Sequence, residues 1–262
     1  LLREFDDVEA RSARLLAMPL PALARLSVQE IRVRSCQAAG QFARGIEQDV
    51  AVLAEQDIVF PGTDEARHAA LVEESAELDR WFEHDPEAFD RMPPDPSPEH
   101  VLVDALMMHL MVCAAIGGEP MLCALVIARA VERVRHQGVL TPVAPFAIVC
   151  FANVWSLSTG MYRRSACWVG PGVRAAERVA SPFLAECLSF QGQYTAYSRP
   201  ADEMAAIFER TFATGLKIGS FQGTSWGLEG DLVYHRAWRG QPLGQIEAHR
   251  TARWGLMQRA GT

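Results

Sequence analysis

The sequence predicts an all-α fold, a superhelix of stacked antiparallel helix pairs, and three observations carry that expectation. Helix-start signals recur: Ser97-Pro98, Thr141-Pro142, Ser181-Pro182 and Gly219-Ser220 each precede a long apolar helical run, because a Ser or Thr oxygen accepts from the free first-turn amides and Pro is tolerated at the next position. Their spacing of about 40 residues lies in the range that marks helical repeat arrays. Between them stand chain-reversal points, Gly117-Gly118-Glu119-Pro120, Thr159-Gly160, Ser198-Arg199-Pro200 and Arg239-Gly240-Gln241-Pro242, where Gly supplies a left-handed closing residue and Pro forbids continuation. Finally, the first helix of each pair carries much less charge than the second, as an element covered on both sides should.

Taken from the N-terminus, Leu1-Leu2-Arg3-Glu4-Phe5 shows neither an initiator Met nor the basic start and apolar stretch of a secretory signal, as expected of a segment of a longer chain. Apolar periodicity then predicts a helix over 21–39, a turn at Gly40-Gln41 and a partner helix to about Asp57. Thr63-Asp64-Glu65 caps a helix running to about His84, and the Pro- and Asp-rich stretch 85–98 reads as an irregular link with at most one short helical turn. Residues 1–96 therefore form N-terminal helical repeats, and 97–262 form the regular pairs, with a sub-stack boundary expected at the link.

Within the regular part, 122–135 is a typical outer helix, with Arg129, Glu132, Arg133 and Arg135 opposed to Leu125, Val126, Ala130 and Val134. The stretch 141–162 holds no charged residue and is long enough to span a bilayer. Its Pro142, Pro145, Asn153, Ser156, Ser158 and Thr159 favour an inner helix instead, and no membrane partner is expected. Gly170-Pro171-Gly172 interrupts an outer helix, where Pro removes a donor and clashes with the preceding turn, so a break or kink is expected there.

Composition narrows function. The chain is 49% apolar and 22% charged, ordinary for a folded globular chain. A formal charge of −7 without runs of like charge excludes a nucleic-acid partner. Cys36, Cys113, Cys123, Cys150, Cys167 and Cys187 stand singly in apolar helical surroundings, without zinc or redox spacing. Buried free thiols, and hence the cytoplasm, are expected.

No phosphate loop, His-Glu-x-x-His or Gly-x-Ser-x-Gly is present. Glu65-x-x-His68 has carboxylate-bridged di-iron spacing but lacks the second pair, and Glu132 and His136 read as an intrahelical contact. No enzyme, cofactor or metal is expected. The candidate site is instead a concave aromatic surface: Tyr194, Tyr197, Trp226 and Tyr234, with Trp238 and His235 beside them, fall on inner helices of the last two pairs, where rings anchor a partner peptide or a ligand when they do not simply pack between helices. An alternative is a small apolar ligand held between inner helices near Trp155, Tyr194 or Trp226.

Two motifs carry a family resemblance. Ala38-Ala39-Gly40-Gln41-Phe42-Ala43-Arg44-Gly45-Ile46 resembles the Gly-x-Tyr-x-x-Ala turn of tetratricopeptide repeats, so the superhelix is expected to be a tetratricopeptide-like solenoid. Thr214-Gly215-Leu216-Lys217-Ile218-Gly219-Ser220, with Arg239-Gly240-Gln241-Pro242-Leu243 further on, is similar to the helical region of large signalling proteins that join a serine/threonine kinase, an AAA-type ATPase, a tetratricopeptide-like array and GAF or histidine kinase outputs. Gly215, Leu216, Gly219, Gly240 and Leu243 match that family's turn and helix-opening positions, and Ser220 replaces its Asp. The resemblance implies a non-catalytic scaffold or signal relay whose partners are neighbouring ATPase or kinase modules or a peptide. A ligand-sensing helical domain of a STAND-type regulator shares the fold and is the alternative.

Overall fold

The computed structural model describes residues 2–196 and 199–260. It is all-α, with no strand among the described residues. The helices are α1 (Leu2–Leu16), α2 (Ala22–Ala38), α3 (Phe42–Ala54), α4 (Asp64–His84), the four-residue α5 (Ala88–Arg91), α6 (Pro98–Gly117), α7 (Pro120–Gln137), α8 (Ala144–Thr159), α9 (Tyr162–Arg178), α10 (Leu184–Ala196), α11 (Ala201–Ile218), α12 (Phe221–Gly230) and α13 (Leu243–Ala260). A π-helical segment, Asp231–Ala237, continues α12. The amphipathic α1 was not singled out by the sequence pattern.

Two of the four expected caps, Ser97 on α6 and Ser220 on α12, sit at the helix N-terminus, while Thr141 and Ser181 close turns that precede α8 and α10, with two residues between. Ser97 Oγ accepts from His100 N at 3.4 Å, Thr141 Oγ1 from Ala144 N at 3.2 Å, Ser181 Oγ from Phe183 N at 3.2 Å, and Ser220 Oγ from Gly223 N at 2.9 Å. Gly118 (φ 84°) and Gly219 (φ 74°) close α6 and α11 in the left-handed region, where a side chain would be strained. Connections of two or three residues between helices in contact force the partners of α6–α7 and α2–α3 to run antiparallel.

The chain divides into two compact units, Leu1–Asp85 with Asp95–Ala147, and Pro86–Pro94 with Ile148–Thr262. The expected boundary at the link therefore becomes a brief excursion: 86–94 belongs to the second unit and the chain then returns to the first.

In the first unit, stacking does not follow chain order. α6 packs directly on α2 and α3, while α4 packs on α7. Charge fixes the α4–α7 contact, with Arg129 bidentate on Glu74 (Nη2 to Oε1 at 2.9 Å and Nε to Oε2 at 3.3 Å) and Arg135 on Glu77 (2.8 Å). The core is Leu26, Val33, Leu53, Leu78, Leu106, Met107, Leu110, Leu122 and Leu125. One helix among the described residues, α6, is long and apolar enough to cross a membrane, and half of its apolar window is buried within the chain. The stretch flagged in the sequence contains only the 16-residue α8.

In the second unit α10 packs on α9, α11 and α12, α11 packs on α12, and α13 on α12 and the π segment. Glycines permit the closest of these approaches. A Cβ at Gly227 would lie 2.6 Å from Phe212 N, and one at Gly215 would lie 2.5 Å from Thr224 N, so main chain meets main chain between α11 and α12. Ser220 ties α12 to α10 by donating to Glu186 Oε1 at 2.6 Å. The segment holding α5 is docked on α9: Phe89 is buried against Trp168, and Arg178 donates to the carbonyls of Phe89, Asp90 and Met92 at 2.6–3.0 Å.

Two expectations are corrected here. α9 runs without interruption through Pro171, which is buried together with Trp168, Val169 and Val173; burial of the ring and its neighbours offsets the lost backbone bond. The cysteines are free thiols, with Cys36, Cys113, Cys150 and Cys187 buried, but Cys123 is only half-buried and Cys167 is exposed.

Candidate functional site

Helices α8, α10 and α12 converge in the second unit on a cavity of about 250 Å³. Asn153 enters from α8, Phe190 and Gln193 from α10, Trp226, Glu229 and Gly230 from α12, and Tyr234 from the π segment. The i, i+3 spacing of Phe190 and Gln193, and of Trp226 and Glu229, sets each pair on one helix face. Tyr234 lies eight residues beyond Trp226, roughly 80° off that face in a regular α-helix. The wider π turn reduces the offset, and π turns inside α-helices recur at functional sites.

Ring geometry shapes the walls. Phe190 and Trp226 meet edge-to-face at 5.9 Å and 88°, and Tyr234 stacks on Phe208 at 6.1 Å and 19° while meeting Trp238 at 5.4 Å and 76°. Trp226 and Tyr234 are half-buried and Glu229 is exposed at the rim.

Behind Tyr234 the π segment is anchored by Asp231. Its carboxylate lies 2.9 Å from His235 Nδ1 and 2.8 Å from Arg236 Nε, the latter an i, i+5 pair that the π geometry brings together, and 2.9 Å from His249 Nε2 on α13. The His249 contact lacks hydrogen-bond alignment. Burial pushes the Asp231 carboxyl up, but the hydrogen bonds from Arg236 and His235 and the nearby charges outweigh it, leaving the group below its ordinary value. Burial and the charge of Arg236 hold His249 below the usual imidazole value.

The sequence candidates separate. Trp226 and Tyr234 share the cavity. Tyr194 is buried at 6% exposure, its hydroxyl 2.8 Å from Ser156 Oγ, so it packs rather than faces a groove. Tyr197 lies outside the described residues. Trp238 is 58% exposed, His235 is buried on Asp231, and Trp155 stacks on Phe151 at 6.3 Å. Phe190, Asn153, Gln193 and Glu229 were not anticipated; the spacing of Glu229 from Trp226 was the signal available for it.

Two larger cavities lie in the first unit, at about 580 and 410 Å³. Their cations are already engaged. In the larger, Arg129 is paired with Glu74, Arg133 with Asp104 at 3.1 Å and His136 with Glu132 at 2.8 Å; in the smaller, Arg32 and Arg44 both grip Glu9. The Glu132–His136 contact is the intrahelical pair expected from their spacing. Among the described residues no three His, Cys, Asp or Glu side chains are placed to hold a metal ion, and Glu65 and His68 are both exposed on α4.

No family model matches the chain, and no curated protein or solved structure is significantly similar to it.

Proposed function

We propose that the chain is a non-catalytic helical-repeat scaffold, a tetratricopeptide-like solenoid, whose second unit recognises a segment of a partner protein by seating one side chain in the α8–α10–α12 cavity. The observation that carries this reading is the cavity itself: three half-buried rings share its wall with two half-buried amides and one exposed carboxylate, a combination suited to anchoring one partner side chain. Stacked helix pairs present such a surface because their first helices lie side by side. A volume of about 250 Å³ suits one large side chain and falls below the roughly 300 Å³ at which pockets for whole small molecules begin. That favours the peptide reading over the small-molecule sensor of a STAND-type regulator.

The glycine and leucine motif around Gly215 and Gly240 supports placing such a scaffold beside ATPase or kinase modules of a signalling protein, as a relay between them. Free thiols in every cysteine suit a reducing compartment such as the cytoplasm. Selecting peptides on the full chain from a random display library, then measuring their affinity for Trp226→Ala, tests the proposal. Selected peptides are expected to lose about thirtyfold in affinity, the effect of removing a binding hot spot, with helix content unchanged by circular dichroism. Undiminished affinity would remove the reading.

A further inference from the structure

We infer that the α8–α10–α12 cavity selects an organic cation, the ammonium or guanidinium head of a Lys or Arg side chain on the partner, methylated or not; this rests on the cavity being the partner's anchor site. Three aromatic rings, Phe190, Trp226 and Tyr234, line the space. Electron-rich ring faces attract a cation, most strongly for Trp, and aromatic cages are the recurring answer to alkylated ammonium groups. The remaining polar lining is Asn153, Gln193 and Glu229, and among the described residues no Lys, Arg or His contributes to the wall. An anionic head group would therefore meet no compensating charge, whereas a cation meets one carboxylate.

That carboxylate is uncommitted. Glu229 has no ion-pair partner among the described residues, in contrast to the acids of the first unit's main cavity, where Glu74 holds Arg129 and Glu132 holds His136 and Arg135. The neighbouring cations are directed elsewhere: Arg236 is bound to Asp231 and Gln241, and Arg239 to Asp202. Among the described residues Glu229 is thus the one carboxylate lining the cavity. The amides of Asn153 and Gln193 are placed to accept N–H donors from the head group or to meet the partner's main chain.

The test compares three probes on the full chain by calorimetry and by the indole N–H resonance of Trp226. They are N-acetyl-trimethyllysine methylamide, its uncharged isostere with tert-butyl in place of trimethylammonium, and free choline. The charged peptide probe is expected to bind about tenfold tighter than the isostere, and Glu229→Gln should erase most of that preference while leaving the isostere unaffected. Trp226→Phe, which keeps a ring, should weaken binding but retain the preference. Equal binding of the two peptide probes would overturn the cation assignment and leave the anchor-site reading standing. Choline binding as tightly as the peptide probe would overturn the assignment to a side chain. Library-selected peptides that bind without moving the Trp226 resonance would defeat both readings.

Discussion

The first unit holds the larger cavity and the second the more informative one, and the contrast lies in how each handles charge. Around the first unit's 580 Å³ cavity the guanidiniums are spent on neighbouring carboxylates, binding α4 to α7 where chain order does not bring them together. The second unit adds close glycine contacts, main chain against main chain at Gly215 and Gly227, to interhelical ion pairs such as Arg210 with Glu177 and Arg253 with Glu209. None of these pairs uses Glu229, which has no ion-pair partner among the described residues and lines an aromatic cavity. Cavity size is a poor guide to function when the walls are internally neutralised.

The sharpest way to break this contrast is to fill a glycine contact. Gly227→Ala places a methyl against the Phe212 main chain, which has no flexible end to yield, and overpacking of this kind costs about 3 kcal/mol. Trp81 is the single tryptophan of the first unit, while Trp155, Trp168, Trp226, Trp238 and Trp254 lie in the second. Fluorescence-monitored denaturation should therefore show the loss in the second unit's transition; an unchanged curve would mean the helices do not approach this closely.

Next in size is Asp231→Asn, which removes a charged acceptor shared by His235 and Arg236 and should cost about 2 kcal/mol at pH 7. The folded carboxyl lies below its unfolded value, so its contribution is present above the unfolded value and is lost as pH falls through the folded one. Stability of variant and parent should accordingly converge in acid. A difference that persisted at low pH would show that shape, not charge, matters at this position.

The smallest effect expected has the opposite sign. Asp49 on α3 is fully buried with both carboxylate oxygens lacking hydrogen-bond partners, and burial, with Glu30 nearby, pushes its carboxyl well up. Such a group is protonated more readily folded than unfolded, so it lowers stability progressively as pH rises from the unfolded value to the folded one. Asp49→Leu should stabilise the first unit by about 1 kcal/mol at pH 7, and the gain should shrink towards pH 4. Thermal denaturation across that range decides it, and destabilisation at neutral pH would show that the acid has a partner.

What was legible in the sequence was local. Caps such as Ser97 and Ser220 act within three residues, and Gly118 and Gly219 act within one turn, so reading them in order recovers individual helices and their ends. Trp226 and Tyr234 were legible as aromatics on inner helices. What escaped depends on distant partners: nothing local distinguishes Asp49 from a solvated acid, Tyr194 from a groove residue, or α4 from a helix stacking on its chain neighbour. The break expected at Pro171 does not form because burial overrides a local rule. Phe190, Asn153 and Glu229 meet only after three helices assemble, and no single window contains them.

The most direct test of the central claim is hydrogen exchange of the full chain with and without a library-selected peptide. Slowed exchange confined to 148–159, 184–196 and 221–237 is the result expected if α8, α10 and α12 bind the partner. Protection concentrated in 64–84 and 120–137 instead, around the larger cavity, would contradict it.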